Sequence, residues 1–464
     1  MEKRELHSCK TKLLFAPVEG SLRRCSSNLA AKVHPSVGQA TWRTDADRLE
    51  QPEEEDRLSM LVDDILLSIL GRVDLSTAAR TSTLSTRWRC LPWLLPEINI
   101  DAKSFLPIPC PNPIKANDIE EAMASLTKVT RSFLVKQHGE SIISTLHLRI
   151  YLSNSSLSKV GPLVGDAVES GFVKDLDLAI LYRSNIWDCD EEGMLRRGQA
   201  IDGFFSAYPN VLHCLTRLSL YTVRFEKSDM HHVLFDCCKQ LKHLALYHCD
   251  IGADSLFKID APNSKLLVLS LTYCLFEILE LVCLPKLEKL TCNTWVSRHA
   301  PLAFDFVPSL GELAFSCDAI RGQNEFKLSE LLHGTTCIHT LKLCFKGENV
   351  WEHICDVDDK SRKLYTERRT PQWKMHFGGP KNRLLKELEF SGFRSLEQQF
   401  TFIRSMLEQA PNLQTIILKG DERCESCDAL DTPRPSKFPK KDEQEMVVRR
   451  IRDGIFSPQI LFDE

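Results

Sequence analysis

Hydrophobic positions along this chain follow two periods, and each marks a different kind of structure. Between residues 61 and 91 the period is helical. Leu66, Ile69, Leu70 and Val73 sit at offsets 0, 3, 4 and 7, which gathers four aliphatic side chains on one helix face. Asp63 and Asp64 occupy its first turn, where negative charge suits the positive end of the helix dipole. Gly71 and Asp74 end this helix, and Ser76 or Thr77 caps a second one carrying Ala78, Ala79 and Ser82. A third short stripe places Leu84, Trp88 and Leu91 at offsets 0, 4 and 7 and closes at Pro92. Three short helices enclose little core, so part of this apolar surface is expected to remain for a partner.

From about residue 140 a second frame takes over: an aliphatic residue, two others, a second aliphatic, one other, then a third apolar residue. It occurs as Ile143-Leu146-Leu148, Val173-Leu176-Leu178, Leu215-Leu218-Leu220, Leu241-Leu244-Leu246 and Leu266-Leu269-Leu271. It continues as Leu287-Leu290-Cys292, Leu310-Leu313-Phe315, Ile338-Leu341-Leu343, Leu385-Leu388-Phe390 and Leu413-Ile416-Leu418. The central starts, from 215 to 338, are separated by 26, 25, 21, 23 and 28 residues. That spacing is close to the ~20–29-residue period of leucine-rich repeats. One such unit cannot bury its own leucines, so the frames predict a curved, horseshoe-like α/β solenoid of stacked parallel strands. Cys249 and Cys274 fall three residues beyond their last leucine, where such repeats satisfy backbone groups at the turn. The 47-residue step from 338 to 385 predicts an insertion near 345–384 that includes Trp351, Trp373 and Gly378-Gly379.

Side chains alternate along a strand, so residues between the frame positions face outward. They form three rows. One is Arg217, His243, Val268, Lys289 and Glu312; a middle row of small residues is Ser219, Ala245, Ser270, Thr291 and Ala314. The third is Tyr221, Tyr247, Thr272, Asn293 and Ser316. Tyr and Arg are the types most often found at interface hot spots, which marks Arg217, Tyr221, His243 and Tyr247 as a candidate substrate-binding patch.

Other segments are plainer. Residues 1–55 have no sustained periodicity and end in Glu53-Glu54-Glu55, as expected of a leader without a fold of its own. Pro107, Pro109, Pro111 and Pro113 predict a stiff, extended linker. Asn117 then caps a helix with Ile119, Ala122, Met123, Leu126, Val129 and Phe133 at helical spacing, ending near Gly139. Phe400, Ile403, Leu407 and Ala410 mark a helix that runs into Ala-Pro-Asn-Leu-Gln at 410–414 and a last strand at Thr415–Leu418.

Charge is nearly balanced, at −4 over 464 residues, which gives no support to general nucleic-acid or anionic-membrane binding. No apolar run approaches the ~18 residues of a membrane span, and the start, Met-Glu-Lys-Arg-Glu-Leu-His-Ser, has no hydrophobic signal core. The 18 cysteines are scattered, many within leucine-rich strands, and read as buried reduced thiols of a cytosolic or nuclear protein. His231, His232, Cys237, Cys238, His243, His248 and Cys249 lack the spacing of paired zinc arms, and Cys424 with Cys427 makes only half a site. No structural metal and no cofactor are expected. Phosphate-binding glycine loops and a His-Glu-x-x-His helix are absent from the sequence, so nothing points to an enzyme. The basic stretch around Arg434, Lys437, Lys440 and Lys441 reads as a solvated surface or an import signal.

The string from Asp56-Arg57-Leu58-Ser59-Met60-Leu61 through Ile65-Leu66-Leu67, and then Arg80-Thr81-Ser82-Thr83-Leu84-Ser85-Thr86-Arg87-Trp88, resembles an F-box. Leu384-Leu385-Lys386-Glu387-Leu388, Gly392-Phe393 and the 410–414 run look like the C-terminal FBD-type region of plant F-box proteins. The whole order is similar to the plant F-box/LRR-repeat family. It divides the chain into a leader at 1–55, an F-box at 56–100 and a linker with helix at 101–139. Leucine-rich repeats follow at 140–380, and an FBD-like cap at 381–455. The resemblance implies a Skp-type adaptor as partner, bound through Leu61, Ile65, Leu66, Leu70, Leu84, Trp88 and Leu91, and through it a cullin. The repeats would then present a protein substrate for ubiquitination, with catalysis left to other subunits. Two other readings of the same resemblance are a ligand-sensing receptor and a cullin-independent scaffold. F-boxes usually carry Pro where this chain has Val62; without that restraint adaptor affinity is expected to fall.

Overall fold

The computed structural model describes residues 58, 60–109, 113–135, 142–152, 154–184, 188–225, 231–252, 256–295, 302–318, 335, 337–346, 381–420, 438–452 and 458–463. The leader at 1–55, the insertion residues Trp351, Trp373, Gly378 and Gly379, and Pro111, Gly139, Cys424, Cys427, Arg434 and Lys437 lie outside them. The chain divides into two compact units. One holds the described residues up to Pro92 with Pro107–Pro109, the other Trp93–Leu106 with the described residues from Pro113 onward.

The first unit contains helices α1 (Asp63–Leu70) and α2 (Leu75–Thr81). Leu66 and Leu70 of α1 and Ala78 of α2 are buried. Asp74, rather than Ser76 or Thr77, caps α2: its carboxylate accepts from the Thr77 amide at 2.9 Å and the Thr77 hydroxyl at 2.6 Å. Those bonds hold the Asp74 carboxyl below its usual range. The expected third helix is a run of turns through residue 90 and a short 3-10 turn, Leu91–Leu94. Ser85, Thr86, Trp88 and Cys90 are weak helix formers. Arg87 nevertheless ties this run to the start of α1, pairing with Asp63 at 2.6 Å and donating to the Leu61 carbonyl.

The second unit is built on a twelve-stranded parallel sheet. Its strands begin with β1 (Glu97–Asp101), β2 (Ile143–Tyr151), β3 (Val173–Leu181), β4 (Leu215–Tyr221) and β5 (His243–Tyr247). After β5 the chain alternates between two sheets: β6 (Leu256–Asp260), β8 (Ile278–Cys283) and β10 (Leu302–Phe306) pair with one another in a smaller parallel sheet. The large sheet proceeds through β7 (Val268–Thr272), β9 (Lys289–Trp295), β11 (Glu312–Asp318) and β12 (Thr340–Lys346). It ends with β13 (Glu387–Ser391), β14 (Thr415–Lys419) and β15 (Gln459–Asp463).

Each of the ten sequence frames occupies one strand of the large sheet, and every frame residue is at most 7% exposed. Burying a Leu-sized side chain contributes about 1.5–3 kcal/mol, so this inward surface carries the fold. Two strands lie outside the ten frames, one at each edge. At β1 the same pattern is present as Leu95-Ile98-Ile100, within the stretch that sequence alone leaves in the helical module.

Two kinds of return follow the strands of the large sheet. Frames starting at 143 and 173 return through helices α4 (Asn154–Glu169), α5 (Glu191–Ala207) and α6 (Pro209–His213). The shorter returns after 241, 266 and 287 run through β6, β8 and β10. An extended residue advances ~3.3 Å against ~1.5 Å in a helix, so the strand returns span their distance with fewer residues. Helix α3 (Ala116–Val135) precedes β2 and buries Ile119, Ala122, Met123, Leu126 and Phe133; Asn117 lies within it instead of capping it. Helices α7 (Glu397–Gln409) and α8 (Lys441–Arg452) serve the last three strands, which extend the same sheet.

The repeat turn has a fixed form. Thr222, His248 and Tyr273, each one residue past its strand, have φ of 57°, 50° and 54°. Their amides donate to Tyr247, Thr272 and Asn293 carbonyls of the next strand at 2.8, 2.8 and 3.1 Å. Beside that turn the Cys249 thiol lies 3.6 Å from the Leu220 carbonyl, and the Cys274 thiol 3.4 Å from that of Leu246. Both cysteines therefore satisfy backbone groups of the preceding repeat, as their spacing predicts. Burial pushes the Cys249 thiol up to about 12.

Candidate functional site

The parallel register aligns the outward residues into rows. Asp177 stands opposite Arg217, Arg217 opposite His243, His243 opposite Val268 and Val268 opposite Lys289. The small row runs Ala179, Ser219, Ala245, Ser270, Thr291 and Ala314. Because these side chains are short, the sheet face sinks between taller neighbours into a groove of 330 Å³ over β1 to β7. His147, Arg149, Asp177, Arg217 and His243 rise along it, and Ser219 and Ala245 form part of its floor.

Most charges on this face are paired across neighbouring strands. His147 Nδ1 lies 2.8 Å from Asp177 Oδ2, and Arg149 lies 3.6 Å from Asp101. Farther along, Lys289 meets Glu312 at 2.9 Å. Glu389 is held by Lys342 at 2.8 Å and Lys419 at 3.2 Å. Burial pushes the Glu389 carboxyl up, but the two ammonium groups outweigh it and hold it below its usual range. Arg217 is exposed and has no ion pair or hydrogen bond among the described residues. Partial burial and then the Arg217 charge hold His243 below 6.5.

At the other end of the same strands Tyr221 and Tyr247 stack, with ring centroids 4.4 Å apart. Burial, followed by the neighbouring Tyr247, pushes the Tyr221 hydroxyl up to about 12. Arg197 of α5 supports this end from behind the strands. Its guanidinium donates to the Leu181, Tyr221 and Thr222 carbonyls at 3.0, 2.9 and 2.9 Å, and lies 4.9 Å from the Tyr182 ring centroid.

The four substrate-patch residues expected from sequence thus share one region of the sheet: Arg217 and His243 at the groove, Tyr221 and Tyr247 along the same two strands. Sequence reading missed the His147–Asp177 and Arg149–Asp101 pairs. Positions 147, 149 and 177 were visible as outward residues of the first two frames, whereas Asp101 lies on the unrecognised β1. Ser316, expected outward in the tyrosine row, is 94% buried.

The expected adaptor set splits in the first unit. Leu66, Leu70, Trp88 and Leu91 are buried and serve as its interior, so they offer no free surface in this conformation. Ile65 and Leu84 are exposed, at 48% and 67%, and Leu61 is half-buried. Val62, Ile69 and Val73 join them at the surface, with Leu58 and Met60 just before. In the Cys/His stretch, His232 Nε2 lies 3.4 Å from Cys237 Sγ on an exposed π-helical turn, while His248 and Cys249 are buried. Among the described residues no group of three or more His, Cys, Asp or Glu is placed to hold a metal ion, and no helix is long and apolar enough to cross a membrane.

No family model matches this sequence. Curated relatives from Arabidopsis thaliana show what it is similar to. An F-box/LRR-repeat protein is 25% identical over 389 residues, 79% of each chain. Another F-box/LRR-repeat protein is 25% identical over 224 residues, 46% of this chain and 67% of the relative. An F-box/FBD/LRR-repeat protein is 45% identical over 55 residues, 12% of each chain. The chain is similar to plant F-box/LRR-repeat proteins with an FBD-type region.

Proposed function

We propose that this chain is the substrate-recognition subunit of an SCF-type ubiquitin ligase, acting in the cytosol or nucleus. Its first unit docks on a Skp-type adaptor, and through it a cullin, while the repeat sheet holds a protein substrate. The observation that carries this reading is the set of aliphatic side chains left exposed on α1 and its flanks: Val62, Ile65, Ile69, Val73 and Leu84. A unit this small gains little by leaving that much apolar surface in water unless a partner covers it. The names of the relatives support the F-box assignment.

The chain has no chemical step to perform. Holding a substrate lysine near a charged ubiquitin carrier raises its effective concentration and fixes its orientation, and the acyl transfer takes place on other subunits. The test is adaptor pull-down with an Ile65→Glu/Leu84→Glu variant, with thermal unfolding as control. Loss of pull-down at unchanged stability is expected, and retained pull-down overturns the reading. A cullin-independent scaffold is the second reading, favoured by Val62 in place of the usual proline; it predicts no adaptor in the pull-down even for the unaltered chain.

A further inference from the structure

We propose that the groove selects an extended partner segment in which one carboxylate side chain faces Arg217 and residues on the alternate side are apolar or aromatic. This specificity rests on reading the sheet as the substrate-capture surface.

Charge complementarity carries the argument. Of the other groups lining the groove, Arg149 pairs with Asp101 and the Asp177 carboxylate lies 2.8 Å from the His147 ring nitrogen. Arg217 stands between Asp177, whose carboxylate is engaged by His147, and His243, which burial and Arg217 itself keep uncharged near neutral pH. Of the two guanidinium groups lining the groove, Arg149 lies 3.6 Å from Asp101, and Arg217 has no carboxylate within ion-pair distance among the described residues. A guanidinium binds a carboxylate through two parallel hydrogen bonds, and such charge-assisted pairs are about twice as strong as neutral ones. A basic segment would meet only charges that are already satisfied, and would place a second cation beside Arg217.

The alternation follows from the two walls. Arg217 and Tyr221 lie on one face of the same strand, four residues apart, so their Cα atoms are separated by ~13 Å. Ser219 and Ala245 keep the floor between them low. An extended chain crossing the strands along that floor points successive side chains to opposite sides. When one meets Arg217, its neighbours meet the edges of the stacked Tyr221 and Tyr247 rings, which form an apolar wall.

The test is selection of random displayed peptides on the full chain, followed by fluorescence anisotropy with one selected peptide and its Glu→Lys or Asp→Lys counterpart. The expected winners carry an acidic residue flanked by apolar ones. Arg217→Glu weakens them about tenfold or more and favours the lysine counterpart; its unfolding midpoint should stay unchanged because the side chain is exposed. Winners without an acidic residue, acidic winners indifferent to Arg217→Glu, or no enrichment at all would each overturn the proposal. Adaptor pull-down is measured on the same variant. If the unaltered chain enriches acidic peptides but never binds adaptor, the ligase reading fails while the groove's specificity stands.

Discussion

Tyr221 and Tyr247 occupy equivalent positions on adjacent parallel strands, and their rings stack 4.4 Å apart with only 6° between their planes. Each tyrosine thereby removes part of the other from water, and together they make one rigid plate beside the groove. The pair belongs to the fold and to the surface at once, so its energetic coupling and its binding role are separable by experiment. A double-mutant cycle with Tyr221→Leu, Tyr247→Leu and their combination, read by chemical denaturation, is expected to give a coupling of about 0.5–1.5 kcal/mol. Tyr221→Ala with Tyr247→Ala is expected to weaken capture of a bound substrate by ~2 kcal/mol or more while adaptor binding stays intact. Unchanged capture in that variant would move the binding surface off these strands.

The first unit separates residues that hold it together from residues that face outward. Leu66→Ala is expected to lower its stability by about 2–5 kcal/mol, because the side chain is fully buried and leaves a cavity. Ile65→Ala, at the preceding position of the same helix, is expected to change stability by less than about 0.5 kcal/mol yet to weaken adaptor pull-down. Equal stability losses at both sites would show that Ile65 is covered within the chain.

Val62 precedes α1 with φ −70° and ψ 155°, and its amide donates no hydrogen bond among the described residues. Proline fits that φ and sacrifices no bond there. Val62→Pro is therefore expected to stabilise the unit by about 0.4–1 kcal/mol, chiefly by restricting the unfolded chain, and to strengthen adaptor binding modestly. A destabilised Val62→Pro variant, measured by thermal unfolding, would mean that the backbone before α1 needs freedom that proline denies.

His243 and His248 are both held below 6.5 by burial, with the Arg217 charge adding to the effect at His243. As pH falls below about 6.5, the unfolded chain takes up these protons before the folded one. The stability tied to the neutral imidazoles is therefore complete above that pH and is lost as pH falls toward the lower folded-state values. Denaturant midpoints are expected to drop between about pH 7 and about pH 5.5, and to drop less in a His243→Asn/His248→Asn variant. Asparagine suits position 248 because it tolerates the left-handed backbone there, at φ 50°. An identical slope in the variant would assign the pH dependence to other groups.

The repeat frames were legible because each strand must hide its own apolar residues whatever its neighbours are. Leu244 and Leu246 announce an inward face from their own sequence, and so do Leu269 and Leu271. Cys249 and Cys274 were legible for the same local reason, since they answer to carbonyls at the turn they occupy. The helical period from Leu66 to Val73 likewise identified α1. It could not say which side chains on that face would be covered: Leu66 and Leu70 are buried, while Ile69 and Val73 remain exposed. The third helix failed between Ser82 and Cys90, where weak helix formers around Trp88 leave a run of turns despite the apolar stripe.

Sequence by itself determined the inward face, the order of repeats and the outward identity of Arg217, Tyr221, His243 and Tyr247. Only the tertiary structure decided which outward residues meet. His147 and Asp177 are 30 positions apart in the chain, and their pairing depends on the register of two strands joined by a whole helix. Arg217 is left without a partner because Asp177 pairs with His147, a choice made between strands and invisible within any one of them. Period is a local property of the chain. Partnership is set by register and by the length of each return.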